Sequence, residues 1–213
     1  VAPLLGFLAG NIITLALYWC LRKVKPHKID TWSKRLQLVS SACLSTAHGL
    51  NDSQKEIGVI ACALAAYGAQ YGLDALPTWL LPDTITQVGA AGQNLTGAPV
   101  WIPVACITAI ALGTMSGGWK IIKTMGNKIT KITPYEGFCS QAAGAVTLFI
   151  TQHIGIPVST THVISGSIMG VGSVKRLSAV RWGVSKELLI AWVITIPVSA
   201  VIGAAVYGIT LLF

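Results

Sequence analysis

The sequence predicts an all-α, polytopic transmembrane protein, and three observations carry that expectation. Apolar residues make up 53% of the chain and charged residues 10%, where soluble domains carry about 25% charged residues. Several uncharged runs reach the roughly 20 residues that a helix needs to cross the hydrocarbon core. Fourteen of the fifteen Lys and Arg residues fall in three short clusters, at 22–35, 120–131 and 175–186, each at the end of an apolar run. In a soluble protein the net charge of +8 would raise the question of nucleic acid. Clustered in this way it marks cytoplasmic loops under the positive-inside rule, and no nucleic-acid partner is expected.

The elements follow in order. Residues 2–21 are uncharged and form a first span that ends at the first basic loop. Residues 36–73 form a second, expected to be broken at 51–56 by "NDSQKE". Residues 74–100 contain Asp74 and Asp83, several Pro and Gly, and neither Lys nor Arg, which assigns them to the side opposite the clusters. Residues 101–119 span again, with Trp101 and Trp119 as interfacial anchors. Residues 135–174 lie between two basic clusters, so they leave and re-enter on one side. They form either a pair of spans or a helical hairpin of broken helices whose tip stops inside the protein, and the Gly and Pro of "HIGIPVSTTH" favour the hairpin. Residues 188–213 make a last span with Pro197 as a tolerated kink. The expectation is a single transmembrane domain over 1–213, multi-pass in the plasma membrane and surrounded by lipid. Gly113 to Gly117 and Gly166 to Gly170 each match G-x-x-x-G, a helix-packing pattern. The five cysteines lack a C-x-x-C pair and read as small hydrophobes. The chain opens without Met or a basic n-region, as if partway through something larger.

Two segments carry polar groups where lipid would penalise them. From residue 36 to residue 50 a helix rises about 22 Å, which carries Asn51 and Asp52 well into the membrane. A carboxylate at depth needs a partner, a proton or a cation. In the second segment Pro157 stands where a helix can begin, and Ser159 or Thr160 can serve as its N-cap. A half-helix starting there aims backbone N–H groups and a partial positive charge at the site, supplemented by the hydroxyls of Ser159, Thr160 and Thr161. Such a set selects an anion. Asp52 would repel that anion unless sodium, held by Asp52, Asn51 and exposed carbonyls, or a proton on Asp52, were bound first. Cation and anion would then raise each other's affinity, which is the energetic basis of symport. No cofactor beyond the coupling ion is expected, and no enzymatic activity.

Plainer readings stand beside these. A single Ser or Thr in a membrane helix often bonds a carbonyl of its own preceding turn; three in a row after Pro, beside His162, point further. His48 and His162 either satisfy helix ends or support the site. Lys55 either lends charge to the anion or pairs with Asp52 or Glu56. Gln141 is a packed amide or a ligand, and His153 lines the hairpin turn. Asn94-Leu95-Thr96 is a formal glycosylation sequon in the outer loop.

The stretches "AHGLNDSQKEIGVI", "SGGWKIIKTMGNKITKITPYEGF" and "GIPVSTTHVISGSIMGVGSVKRLSAVRWG" together resemble the inorganic phosphate transporter (PiT) family, in particular its bacterial low-affinity members. The resemblance covers nearly the whole chain, and its specific motifs are H-G-x-N-D-x-Q-K and P-V-S-T-T-H. It implies one half of an inverted-repeat transporter, with an N-D motif in a broken helix and a hairpin tip. It also implies phosphate uptake driven by sodium or protons, with ligands at Asn51, Asp52, Ser159, Thr160 and Thr161; His48, Gln54, Lys55 and His162 are read beside these as supporting positions. Many relatives carry Glu where this chain has Gln141, a candidate coupling-cation position, so the coupling ion stays open. The first repeat, or a partner chain supplying it, would complete the site, and a homodimer is a further option. Three rival readings are a sulfate or other tetrahedral oxyanion permease, an intramembrane hydrolase using Ser159, His162 and Asp52, and a non-transporting membrane fragment or subunit.

Overall fold

The computed structural model describes residues 1–71, 77–80, 99–127 and 129–211. Over these residues the chain is all-helical: α1 (Ala2–Leu21), α2 (Pro26–Tyr71), α3 (Trp101–Asn127), α4 (Pro134–His153), α5 (Thr160–Lys175) and α6 (Trp182–Thr210), with short 3-10 turns at Thr78–Leu80 and Leu177–Ala179. Among the described residues, α1, the 101–119 part of α3, and α6 are long and apolar enough to cross a membrane. Most of residues 74–100, including the Asn94 sequon, lie outside the described residues.

One expectation is corrected here. The break predicted at 51–56 is absent, and α2 runs unbroken through "NDSQKE". The segment contains neither Gly nor Pro, and its polar side chains support the helix. His48 and Lys55 reach Asp52 at i,i+4 and i,i+3 spacing, the spacing at which neighbours on a helix face stabilise one another. Ser53 donates to the Leu50 carbonyl at 3.2 Å. The helix is also longer than expected, 46 residues or about 69 Å, and takes in Lys28, Lys34 and Arg35 of the first basic cluster. Residues 120–127 likewise continue α3, and α6 starts at Trp182.

The hairpin is built by local chemistry at both ends. At its base, Thr133 and Glu136 form a reciprocal capping box around Pro134: Glu136 N donates to Thr133 Oγ1 at 3.4 Å and Thr133 N to Glu136 Oε2 at 2.8 Å. Lys175, the last residue of α5, pairs with Glu136 Oε1 at 3.0 Å and ties the two arms together. At the turn, Gly155 takes φ 76°. The N–H groups of Gly155 and Ile156 donate to the carbonyls of Gln152 and Thr151, the bonding pattern of a Schellman helix stop. Pro157 then prevents the helix from resuming. The new helix begins at Thr160 with Ser159 as N-cap, one of the two cap positions expected, and Pro157 lies two residues before that cap.

Two parallel helix pairs hold the hairpin. Along α2 and α4, Gln37 meets Gly137, Ser40 meets Gln141 and Leu44 meets Gly144. Along α1 and α5, backbone meets backbone. A Cβ at Gly166 or Gly170 would be driven into the carbonyl of Pro3 or Phe7, and one at Gly6 or Gly10 into that of Val163 or Ser167. The Gly166 to Gly170 pattern is thus used as expected, and its partner is the Gly6 to Gly10 pattern on α1, which the sequence reading passed over. Gly113 and Gly117 face open space instead.

At one end, Arg181 N donates to Ile129 O, Lys175 meets Glu136, and Tyr18 packs edge-on against Tyr135. At the other end, Ala47, Leu148, Val158 and Val163 close a core around the hairpin turn. Helix α6 touches the body through Val184, Leu188 and Trp192. Beyond these it exposes Val193, Ile196 and Val201 at 68 to 75%, a surface that lipid tails accept and water does not.

Candidate functional site

The parallel register of α2 and α4 decides what the hairpin turn meets. Each residue of α4 lies level with one about a hundred positions earlier on α2, so the turn that follows α4 arrives beside Asn51, Asp52 and Lys55. The buried Asn51 donates from Nδ2 to the Val158 carbonyl at 3.0 Å, and Lys55 Nζ donates to the same carbonyl. Lys55 Nζ also lies 3.1 Å from Asp52 Oδ1. On the other carboxylate oxygen, Oδ2, His48 Nε2 sits at 2.9 Å and the hydroxyl of the buried Thr160 donates at 3.3 Å. Both oxygens of Asp52 are therefore engaged, by two nitrogen donors of its own helix and by the first residue of α5.

This geometry separates Thr160 from the ordinary hydroxyls of the chain. Thr14, Thr147, Thr151 and Ser167 each donate to the carbonyl four residues back, the local bond expected of membrane hydroxyls. Thr160 instead crosses to another helix. Ser159 holds the N-cap position without a side-chain cap bond, and Thr161 is exposed. The first-turn N–H groups of α5 at Thr160, Thr161 and His162 lack intrahelical acceptors, as at every helix start. The arrangement offers an anion those amides, the Ser159 and Thr161 hydroxyls and two nearby nitrogen bases. It offers a cation the Asp52 carboxylate and the Val158 carbonyl.

Other expected members lie elsewhere. Gln141 accepts from Ser40 Oγ at 2.9 Å, and Ser40 precedes Asp52 by twelve residues of α2, or about 18 Å. The structure does not bring Gln141 to the Asp52 cluster, because residue 141 lies level with residue 40. Gln54 and His153 are exposed. His162 packs its ring on Trp192 with centroids 4.1 Å apart, and His48, not His162, meets Asp52. The Ser159, His162 and Asp52 arrangement that a hydrolase would need is not assembled. The Val158 carbonyl was missed, since a backbone atom of an apolar residue carries no sequence signal. The capping box at Thr133 to Glu136 was open to the T-x-x-E pattern.

Residues 20–203 match the phosphate transporter family. A protein named "Probable low-affinity inorganic phosphate transporter" from Rhizobium meliloti is 41% identical over 97% of this chain and 55% of its own length. Proteins of the same name from Bacillus subtilis and Mycobacterium tuberculosis are 39% and 35% identical over 98% of this chain, and over 56% and 45% of their own lengths. The chain thus spans about half the length of the curated relatives it matches. No solved structure matches it. With the hairpin, the Asn51-Asp52 segment and the match to residues 20–203 in agreement, the chain belongs to the phosphate transporter family.

Proposed function

We propose that the protein carrying this chain moves inorganic phosphate across the plasma membrane by symport with sodium or protons, with the basic clusters on the cytoplasmic side. The names of its relatives support the substrate, and one observation supports the placement of the chemistry. Thr160, at the amide-rich start of α5, shares the Asp52 carboxylate with Lys55 and His48. An oxyanion accepting from the Ser159 and Thr161 hydroxyls and the first-turn amides, that of Thr160 included, would thereby stand beside a negative charge, and a bound cation would relieve the repulsion. Asn51 and Asp52 supply the cation's side of the site, and His48 and Lys55 orient the carboxylate. A second inverted repeat would supply the rest.

Phosphate uptake into proteoliposomes by the full-length protein tests this, with sodium and proton gradients imposed separately. Wild type is expected to respond to one gradient, and Asp52→Asn to lose uptake by about a hundredfold or more, the loss that follows removal of a charge from a desolvated site. Uptake under neither gradient, or an unaffected Asp52→Asn, would sink the reading. Sulfate competing as well as unlabelled phosphate would shift the substrate to tetrahedral oxyanions in general.

A further inference from the structure

The ammonium of Lys55 stands in a position with the chemistry of a cation site. It lies 3.1 Å from Asp52 Oδ1 and donates to the Val158 carbonyl, so a carboxylate oxygen and a backbone carbonyl converge on one positive charge. Oxygen donors of this kind equally suit a small hard cation. The other carboxylate oxygen is already met by His48 and Thr160. A mobile cation entering at Oδ1 therefore meets the ammonium first, and two positive charges at that separation repel. Lys55 has room to leave, its side chain being 37% exposed.

We propose that Lys55 is a tethered competitor of the coupling cation. With no ion bound it neutralises Asp52 and fastens the hairpin turn to α2; when a sodium-like cation binds, it yields both contacts to the ion. The inference rests on the cation-coupled reading above. It has two consequences. Asp52 is never left as an uncompensated carboxylate between transport cycles. Each cation bound also frees an ammonium close to Ser159 and Thr160, where an anion gains from it, so the exchange itself couples the two ligands.

The test uses the full-length protein purified in detergent, with radioactive sodium as the probe and no phosphate. Lys55→Gln is expected to bind sodium about tenfold more tightly than wild type, a difference well within the resolution of a binding titration. Lys55→Arg, which keeps the charge, is expected to bind no more tightly than wild type, and adding Asp52→Asn to Lys55→Gln is expected to remove the gain. Equal or weaker sodium binding by Lys55→Gln, or none by either protein, overturns the proposal. A second measurement needs no variant: acylation of Lys55 by an amine-reactive reagent, read by mass spectrometry, is expected to rise several-fold when sodium replaces choline. Unchanged acylation also overturns it. Failure of the phosphate reading looks different, because wild type would then take up no phosphate while the gain in sodium binding by Lys55→Gln persisted.

Discussion

Two polar segments meet at the site, and their backbones behave in opposite ways. Residues 48–55 stay helical through Asn51, Asp52, Ser53 and Gln54. Residues 154–159 leave the helix, reverse and start another. The first carries six polar or charged side chains among its eight residues, the second only one, Ser159, among six. Polarity is therefore not what unwinds a helix here. Gly155 supplies a positive φ that other residues resist, and Pro157 lacks the N–H a continuing helix would use. The α2 segment has no Pro, its Gly49 stays in helical conformation, and its side chains find partners at helix spacing or across the interface. An unbroken helix can still carry a polar site through a membrane protein when a neighbouring turn satisfies it.

Four tests, one of them a pair of substitutions, probe this contrast in descending order of expected effect. Ser53→Pro would place a helix breaker where the continuous helix forbids it, and should destabilise the protein by about 3 kcal/mol or more. Thermal unfolding in micelles measures this, and a protein that tolerates the change would show that α2 does open at this point. Gly155→Ala forces a Cβ onto positive φ at the turn and should cost about 1 to 2 kcal/mol; an unchanged melting temperature would mean that the turn does not depend on Gly155. Thr160→Val removes the bond to Asp52 and should cost about 1 kcal/mol, while Thr161→Val, at an exposed position, should be near neutral. Equal effects of the two would erase the distinction drawn between them. The last test is Gly49→Ala. Gly49 lies within α2 with open space around the site of a Cβ, so this change should stabilise by about 0.5 to 1 kcal/mol, and destabilisation would argue that α2 bends there.

Much of the architecture could be read from local patterns. Run length and the absence of charge located α1, the first part of α3 and α6, because crossing the hydrocarbon core is a matter of length and composition. "HIGIP" announced the hairpin turn through residues whose backbone restrictions are their own. "NDSQKE" misled for an instructive reason: polar residues in an apolar run suggest exposed backbone, whereas the cost falls on side chains, and side chains can be paired.

The chain's own composition and backbone chemistry determined that it is helical, membrane-embedded and turned back on itself at Gly155 and Pro157, since each of those follows from a few adjacent residues. Tertiary structure alone decided which distant groups meet. Val158 receives Asn51 and Lys55, Ser40 holds Gln141 away from Asp52, and the glycines of α1 seat those of α5. Those pairings depend on the direction, rotation and axial offset of whole helices against one another. A parallel α2 and α4 bring the hairpin turn to Asp52, and a shift of one helical turn, about 5.4 Å, would leave the same residues without each other.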